Sequence, residues 1–119
     1  VTELMFTDND ELSALIAQMM QADTLILLSN IDGIYTGHPD DPQSVLIPVV
    51  ASGTDLSAYI KAEKSAFGRG GMHSKYTTAT RVQAAGIRVI IANGERENIL
   101  TDLIEHPATV PHTEFIPCN

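Results

Sequence analysis

The sequence has no tryptophan, a single cysteine and few aromatic residues, at 5% of 119 positions. Proteins that bind single-stranded nucleic acids stack bases on aromatic rings, so this scarcity argues against that class. The lone Cys118 excludes an internal disulfide framework, and we therefore predict a reducing, cytoplasmic environment. No apolar run approaches the roughly 20 residues of a membrane span, and the first residues lack the pattern of a secretory signal. We expect no contact with a membrane.

Positive charge is also scarce, with 7 Lys and Arg against 15 Asp and Glu and a net charge of −8. A nucleic-acid surface normally shows a basic stripe, so we predict no nucleic-acid partner. Residues 1–63 carry ten acids and one base (net −9), whereas residues 64–119 carry five acids and six bases (net +1). The bases thus collect in the second half, as a phosphate site would require, although solvated surface patterning would give the same distribution.

Several common motifs are missing. The P-loop requires Gly-Lys-Ser/Thr, which does not occur, and the dinucleotide fingerprint would need a glycine in place of His73. There is no nucleophile elbow, which disfavours covalent hydrolysis. The histidines include no pair at i, i+4, so we interpret them as surface residues and predict no metal site. They are His38, His73, His106 and His112.

Apolar runs alternate with helix-like stretches along the whole chain. This order is typical of an α/β fold with a mainly parallel sheet sandwiched by helices. Residues 34–44 contain Gly37, Pro39 and Pro42, which predict an exposed, irregular excursion. The predicted strands are 4–6, 24–28, 45–50 (an edge strand, interrupted at Pro48) and 87–92, with a short strand pair in 109–116; the predicted helices are 12–20, 56–66, 74–85 and 96–105.

Two of these helices have further predicted features. In the first, Leu12, Leu15, Ile16, Met19 and Met20 recur at three- and four-residue spacing, which indicates a face packed on the sheet. The helix at 74–85 should end at Gly86 in the C′ position.

A glycine loop, residues 67–75, precedes that second helix. Gly68, Gly70 and Gly71 would allow main-chain N–H groups to turn around an anion. Lys75 is predicted in the first helical turn, where a positive charge is unfavourable unless an anionic ligand compensates it. The alternative is a flexible loop that only starts a helix.

Three polar clusters fall at predicted strand ends or helix starts: Asp8-Asn9-Asp10, Ser29-Asn30 and the glycine loop. Ligands of parallel α/β sheets bind outside the carboxyl ends of the strands, so we predict that the clusters converge there. Each has a simpler interpretation, as a helix N-cap, a strand end or a turn. Asp32-Gly33 with Tyr35 is compatible with a nucleotide-base pocket and with a turn packed by a tyrosine.

Three blocks in register, residues 6–14 (FTDNDELSA), 27–36 (LLSNIDGIYT) and 70–75 (GGMHSK), resemble the glutamate 5-kinase branch of the amino acid kinase family. Ala92-Asn93-Gly94 also fits, and the resemblance extends from about residue 3 to residue 116. It implies a carbamate-kinase-like three-layer α/β/α fold, of which residues 1–119 would form the C-terminal, nucleotide-binding half.

The resemblance implies transfer of the γ-phosphoryl group of Mg-ATP to the side-chain carboxylate of L-glutamate, the first step towards proline. Asn9 would contact glutamate, and Asp10 would organise the catalytic lysines. Lys75 would stabilise the charge on the moving phosphoryl group, in keeping with the electrostatics of phosphoryl transfer. The nucleotide contacts implied are Ser29, Asn30, Arg69, Gly70, Gly71, Met72, His73, Ser74 and Lys75.

The sequence departs from the family pattern at Thr7 (often Gly), Ser29-Asn30 (often Thr-Asp) and Arg69 (often Thr). Family members carry a further catalytic lysine upstream of the position of Val1, so we expect the 119 residues alone to be inactive. We also expect a homo-oligomer. The alternatives are a non-catalytic nucleotide-binding or oligomerisation module, and a related kinase acting on aspartate, acetylglutamate or UMP.

Overall fold

Four strands and two helices make up most of the described part of the chain. In this computed structural model the described residues are 15, 18, 19, 23–37, 41–56, 59 and 71–117. A 3-10 turn, Pro107–Thr109, connects the second helix to the last strand. The elements are β1 (Thr24–Ser29), β2 (Val49–Ala51), α1 (Gly71–Ala84), β3 (Arg88–Asn93), α2 (Ile99–Glu105) and β4 (His112–Ile116).

The strands form one sheet in the order β1-β3-β4-β2. β1 pairs with β3 and β2 pairs with β4 in parallel, while β3 and β4 are antiparallel. The predicted mainly parallel sheet is confirmed, and among the described strands the one that follows Pro48 lies at an edge, as predicted. The strand pair predicted in 109–116 is wrong: a 3-10 turn ends at Thr109, and the single strand His112–Ile116 follows.

Helices cover both faces of the sheet, which confirms the three-layer α/β/α architecture. Side chains of a strand alternate between faces. Leu25, Leu27, Val89 and Ile91 belong to one buried cluster together with Ala79 and Val82 of α1. The alternate residues Ile26, Ile90 and Ala92 pack with Ile99 and Leu103 of α2.

Helix α1 ends as predicted but begins earlier. Gly86 has φ 91°, the left-handed conformation that glycine adopts without strain, and its N–H donates to Gln83 O at 3.0 Å. The described residues of the helix begin at Gly71, and Met72 extends the apolar face, since both Met72 and Tyr76 pack on the core. Lys75 is therefore the fifth helical residue, so its predicted place in the first turn is wrong and the charge conflict inferred from it disappears.

Two other helix predictions need correction. Helix α2 begins at Ile99 and not at Arg96, because Asn98 adopts a left-handed conformation with φ 60°. Leu15 and Met19 were predicted to pack on the sheet, but they are 56% and 74% exposed. Helical spacing identifies an apolar face without showing what covers it. The strand predicted at 4–6 and most of the helices predicted at 12–20 and 56–66 lie outside the described residues.

Residues 34–47, here called the excursion, leave the sheet after β1 and return before β2. The described residues of the segment predicted as irregular, 34–37 and 41–44, form no helix or strand, as predicted. The base of the excursion is nevertheless closed: Tyr35 makes an isolated antiparallel bridge with Leu46, and Ile47 N–H donates to Ile34 O at 2.8 Å. Ile34 is fully buried because the base folds under the α1 face. The buried Thr113 of β4 fastens it, with its hydroxyl accepting from Ile34 N–H at 2.9 Å and donating to Ile47 O at 2.7 Å.

Candidate functional site

The carboxyl ends of β1 and β3 lie side by side, and we call this rim of the sheet the carboxyl edge. Ser29 and Asn93 are register partners, and Gly94 N–H donates to Ser29 O at 2.8 Å. Helix α1 enters β3 through a short turn and so runs back along it. Its 14 residues span about 21 Å and the six residues of β3 about 20 Å. The first turn of α1 therefore lies towards the carboxyl edge.

Ser29 and Asn30 begin the loop that follows β1. The Ser29 hydroxyl accepts from Ile31 N–H at 3.4 Å and approaches Asn30 Oδ1 at 3.5 Å, which turns the chain as soon as the strand ends. Asn30 is exposed and Ser29 is half-buried. Both side chains thus stand at the rim where ligands of parallel sheets bind.

The described part of the glycine loop begins at Gly71. His73 and Ser74 are exposed, whereas Met72 and Lys75 are half-buried. Because the Met72 side chain packs on the core, a nucleotide contact by this residue would have to use its backbone. Lys75 lies one turn into α1, at the end nearer the carboxyl edge.

Asp32 and Arg96 form an ion pair that the sequence did not predict. Arg96 Nε and Nη2 donate to the two carboxylate oxygens of Asp32 at 2.8 and 3.0 Å. Tyr35 Oη donates to Asp32 Oδ2 at 3.4 Å. Hydrogen bonding from Arg96 is the main cause that lowers the pKa of Asp32, with Asn93 and Tyr35 contributing and burial opposing.

One signal in the sequence could have revealed this pair. Asp32 comes three residues after the last residue of β1, and Arg96 comes three residues after the last residue of β3. Ser29 and Asn93 are register partners. Two residues that follow them at the same distance along the chain can therefore meet, and these two residues have opposite charges. The offset becomes informative only once the two strands are known to be neighbours in register.

A cleft of about 230 Å³ opens beside Arg96 on the α2 side of the sheet. Its lining is mixed in charge and contains no histidine. The lining residues are Arg96, Glu97, Ile99, Asp102, Thr109, Val110 and Pro111.

Several predicted site residues lie outside the described residues: Asn9, Asp10, Arg69 and Gly70. The structure brings Ser29 and Asn30 to the same edge as the start of α1, and the convergence of Asp8-Asn9-Asp10 with them stays a prediction. Of the histidines, His73 and His106 are exposed as predicted, and His38 is not described. His112 is not a surface residue: its side chain is 14% exposed and Nδ1 is 2.7 Å from Val110 O.

Among the described residues, no helix has the length and apolar character needed to cross a lipid bilayer.

Comparison with known proteins agrees with the predicted resemblance. A model of the amino acid kinase family matches residues 1–93. The chain is 61% identical over 117 residues to a glutamate 5-kinase of Bacteroides thetaiotaomicron, covering 98% of this chain and 32% of that protein. It is 51% identical over 104 residues to a glutamate 5-kinase of Chlorobaculum tepidum, covering 84% of this chain and 27% of that protein. The chain thus spans about a third or less of these curated relatives.

The fold also resembles solved structures of the family. A carbamate kinase from Giardia lamblia bound to AMP-PNP superimposes with a TM-score of 0.61 at 21% identity, covering 93% of this chain and 36% of that one. This likeness confirms the predicted carbamate-kinase-like fold. With a family model over most of its length and a matching architecture, the chain belongs to the amino acid kinase family.

Proposed function

We propose that this chain supplies the nucleotide-binding part of an ATP-dependent kinase that phosphorylates the side-chain carboxylate of glutamate, the first step towards proline. The observation that carries the proposal is 61% identity to a glutamate 5-kinase over 98% of the chain. The structure supports the nucleotide-binding part of the proposal, and the acceptor rests on the similarity alone.

The carboxyl edge offers what a polyphosphate requires. The described part of α1 begins at Gly71, on the side of the sheet towards this edge, and helix N-termini favour negative charge. Ser29 and Asn30 stand at the end of the neighbouring strand with polar side chains. The bases of residues 64–119 give this half a net charge of +1, against −9 for residues 1–63.

In the proposed reaction a carboxylate oxygen of glutamate attacks the γ-phosphorus of ATP. The bond from that phosphorus to the β,γ-bridging oxygen breaks as the new P–O bond forms, so glutamyl 5-phosphate and ADP result without a covalent enzyme intermediate. Positioning and charge neutralisation provide most of the rate in such transfers. Lys75 would approach the moving phosphoryl group, and Mg²⁺ would enter with the nucleotide.

The remaining roles follow the family resemblance and stay proposals. Asn9 would bind glutamate, Asp10 would organise lysines, and Arg69 and Gly70 would contact phosphates. A homo-oligomer and a cytoplasmic location also stay predictions.

A chimera tests the proposal. The segment of the Bacteroides thetaiotaomicron protein that matches this chain is replaced by residues 1–119, with the unmodified relative as positive control. Acyl phosphate formed from ATP and glutamate is trapped with hydroxylamine. We expect the chimera to form glutamyl hydroxamate and the isolated 119-residue chain to form none. A folded chimera that phosphorylates aspartate, acetylglutamate or UMP in place of glutamate would contradict the acceptor. One that binds an ATP analogue and transfers no phosphoryl group would favour the non-catalytic module.

Lys75→Ala in the chimera tests the catalytic assignment. Removing a charge that acts in the transition state should lower kcat by about 100-fold or more. Arg81→Ala is the matched control, since Arg81 is also a base on α1 but lies in its last turn. Equal kcat values for the two variants would contradict the role of Lys75.

A further inference from the structure

The segment from Ser29, the last residue of β1, to Ile34 is held at both ends by hydrogen bonds, one from the residue that follows β3 and one to β4. Its first residue is tied by Gly94 N–H, which donates to Ser29 O at 2.8 Å. At the other end Ile34 N–H donates to the Thr113 hydroxyl at 2.9 Å. Between these two anchors, the carboxylate of Asp32 is the group that reaches across to the loop following β3.

The contact between Asp32 and Arg96 fixes orientation as well as distance. Two parallel N–H···O bonds of 2.8 and 3.0 Å join a planar guanidinium to a planar carboxylate. The Asp32 side chain is 17% exposed and that of Arg96 is 45% exposed. Asn93, whose Oδ1 accepts from Glu95 N–H at 2.9 Å, orders the β3 side of the contact.

The charge of the pair matters because of its position. Asp32 is two residues from Asn30, at an edge proposed to hold a polyanion. Arg96 neutralises this carboxylate at 2.8 Å. Without Arg96, the loop that carries Asn30 would hold an uncompensated negative charge, and such a charge opposes the approach of a polyanion to this edge.

We propose that Asp32 and Arg96 are positioning residues for nucleotide binding: their ion pair holds Ser29 and Asn30 in place and keeps the neighbouring carboxylate neutralised. This inference rests on the proposed function. It assigns no contact between either side chain and the nucleotide.

Four variants of the chimera test the pair: Asp32→Asn, Arg96→Ala, the double variant Asp32→Asn/Arg96→Ala, and the exchange Asp32→Arg/Arg96→Asp. Arg96→Ala loses the positioning contact and leaves a bare carboxylate, so the KM for ATP should rise by about tenfold. Asp32→Asn and the double variant should show a smaller rise, equal in the two, and the exchange should recover part of the loss. The KM for glutamate should stay near that of the unmodified chimera, and the melting temperature should fall by no more than the few degrees expected from the loss of one partly exposed ion pair.

The matched control is the Arg88–Glu114 ion pair. It also joins an arginine of the β3 region to a carboxylate, at 3.1 Å, but Arg88 is the first residue of β3 and lies at the opposite end of the sheet. Arg88→Ala and Glu114→Gln should leave the KM for ATP unchanged.

Three outcomes would overturn the positioning role. One is a KM for ATP that rises in Arg96→Ala but not in Asp32→Asn, because Arg96 would then contact the nucleotide directly. Another is a double variant worse than Arg96→Ala, which would contradict the charge argument. The third is an equal effect on the KM for ATP and the KM for glutamate. A parent chimera that makes no glutamyl hydroxamate would contradict the proposed function itself, so the two failures are distinguishable.

Discussion

Replacing Thr113 with valine tests how the excursion is held on the sheet. Valine has nearly the same shape as threonine but lacks the hydroxyl. The change removes the acceptor of Ile34 N–H at 2.9 Å and the donor to Ile47 O at 2.7 Å, in a residue that is fully buried. Both main-chain groups keep their positions and lose their partner.

The expected cost follows from the two orphaned groups. Each buried polar group left without a hydrogen bond costs about 1–3 kcal/mol. Because Ile34 is fully buried and Ile47 is half-buried, we expect Thr113→Val to lower the free energy of unfolding by about 2–4 kcal/mol. Domains of this size are stable by roughly 5–15 kcal/mol, so the change removes a large fraction of the total.

Urea unfolding followed by circular dichroism measures this cost, and the midpoint should fall by about 1–2 M. Thr36→Val is the matched control, because the Thr36 hydroxyl also accepts a main-chain N–H, that of Val45 at 3.0 Å, but at an exposed position of the same excursion. It should cost less than about 0.5 kcal/mol. Equal losses in the two variants would show that the buried hydroxyl does not hold the base of the excursion.

Two further predictions concern stability. The pKa of Asp32 is lowered in the folded chain, so its ion pair with Arg96 stabilises the fold at any pH above the ordinary aspartate pKa of about 4. This stabilisation is lost as the pH falls through the lowered pKa. Asp32→Asn should therefore cost up to about 1 kcal/mol near neutral pH and nothing in strong acid; a loss independent of pH in urea titrations would refute this. Gln83 Nε2 donates to Val50 O at 2.9 Å and Ile116 O at 2.8 Å, joining α1 to β2 and β4. Gln83→Leu should cost about 2 kcal/mol in the same assay, and a loss no larger than that of the exposed Thr36→Val would contradict the role of this contact.

The central elements of the fold were predictable because their residues are buried on both faces. The strands at 24–28 and 87–92 are nearly continuous apolar runs, as expected of parallel strands covered by helices. Gly86 marked the end of α1 because its conformation is one that glycine adopts best. The start of α1 was misplaced because Met72 joins the core beyond a pair of glycines, where propensity suggests that the helix has not begun.

The candidate site was predictable only in part. Its position follows from the strand ends, which the sequence reveals, whereas its contacts follow from the register of the strands, which the sequence does not reveal. Ser29 and Asn30 were identified because they terminate an apolar run. The contact between Asp32 and Arg96 joins residues 64 positions apart and depends on the pairing of Ser29 with Asn93. The half-buried position of His112 beside Val110 likewise depends on β4, and this segment was predicted as a strand pair.

The order β1-β3-β4-β2 has a consequence for the sequence of events during synthesis. β1 and β3 can pair as soon as both have left the ribosome, but β2 pairs with β4, the last described strand of this chain. Until His112–Ile116 emerges, β2 lacks its strand partner and the base of the excursion lacks the Thr113 hydroxyl. The Val50 side chain, which is 1% exposed in the folded chain, is then accessible to other nascent chains. A message truncated just before β4 would therefore yield a product that lacks one strand and cannot dock a second.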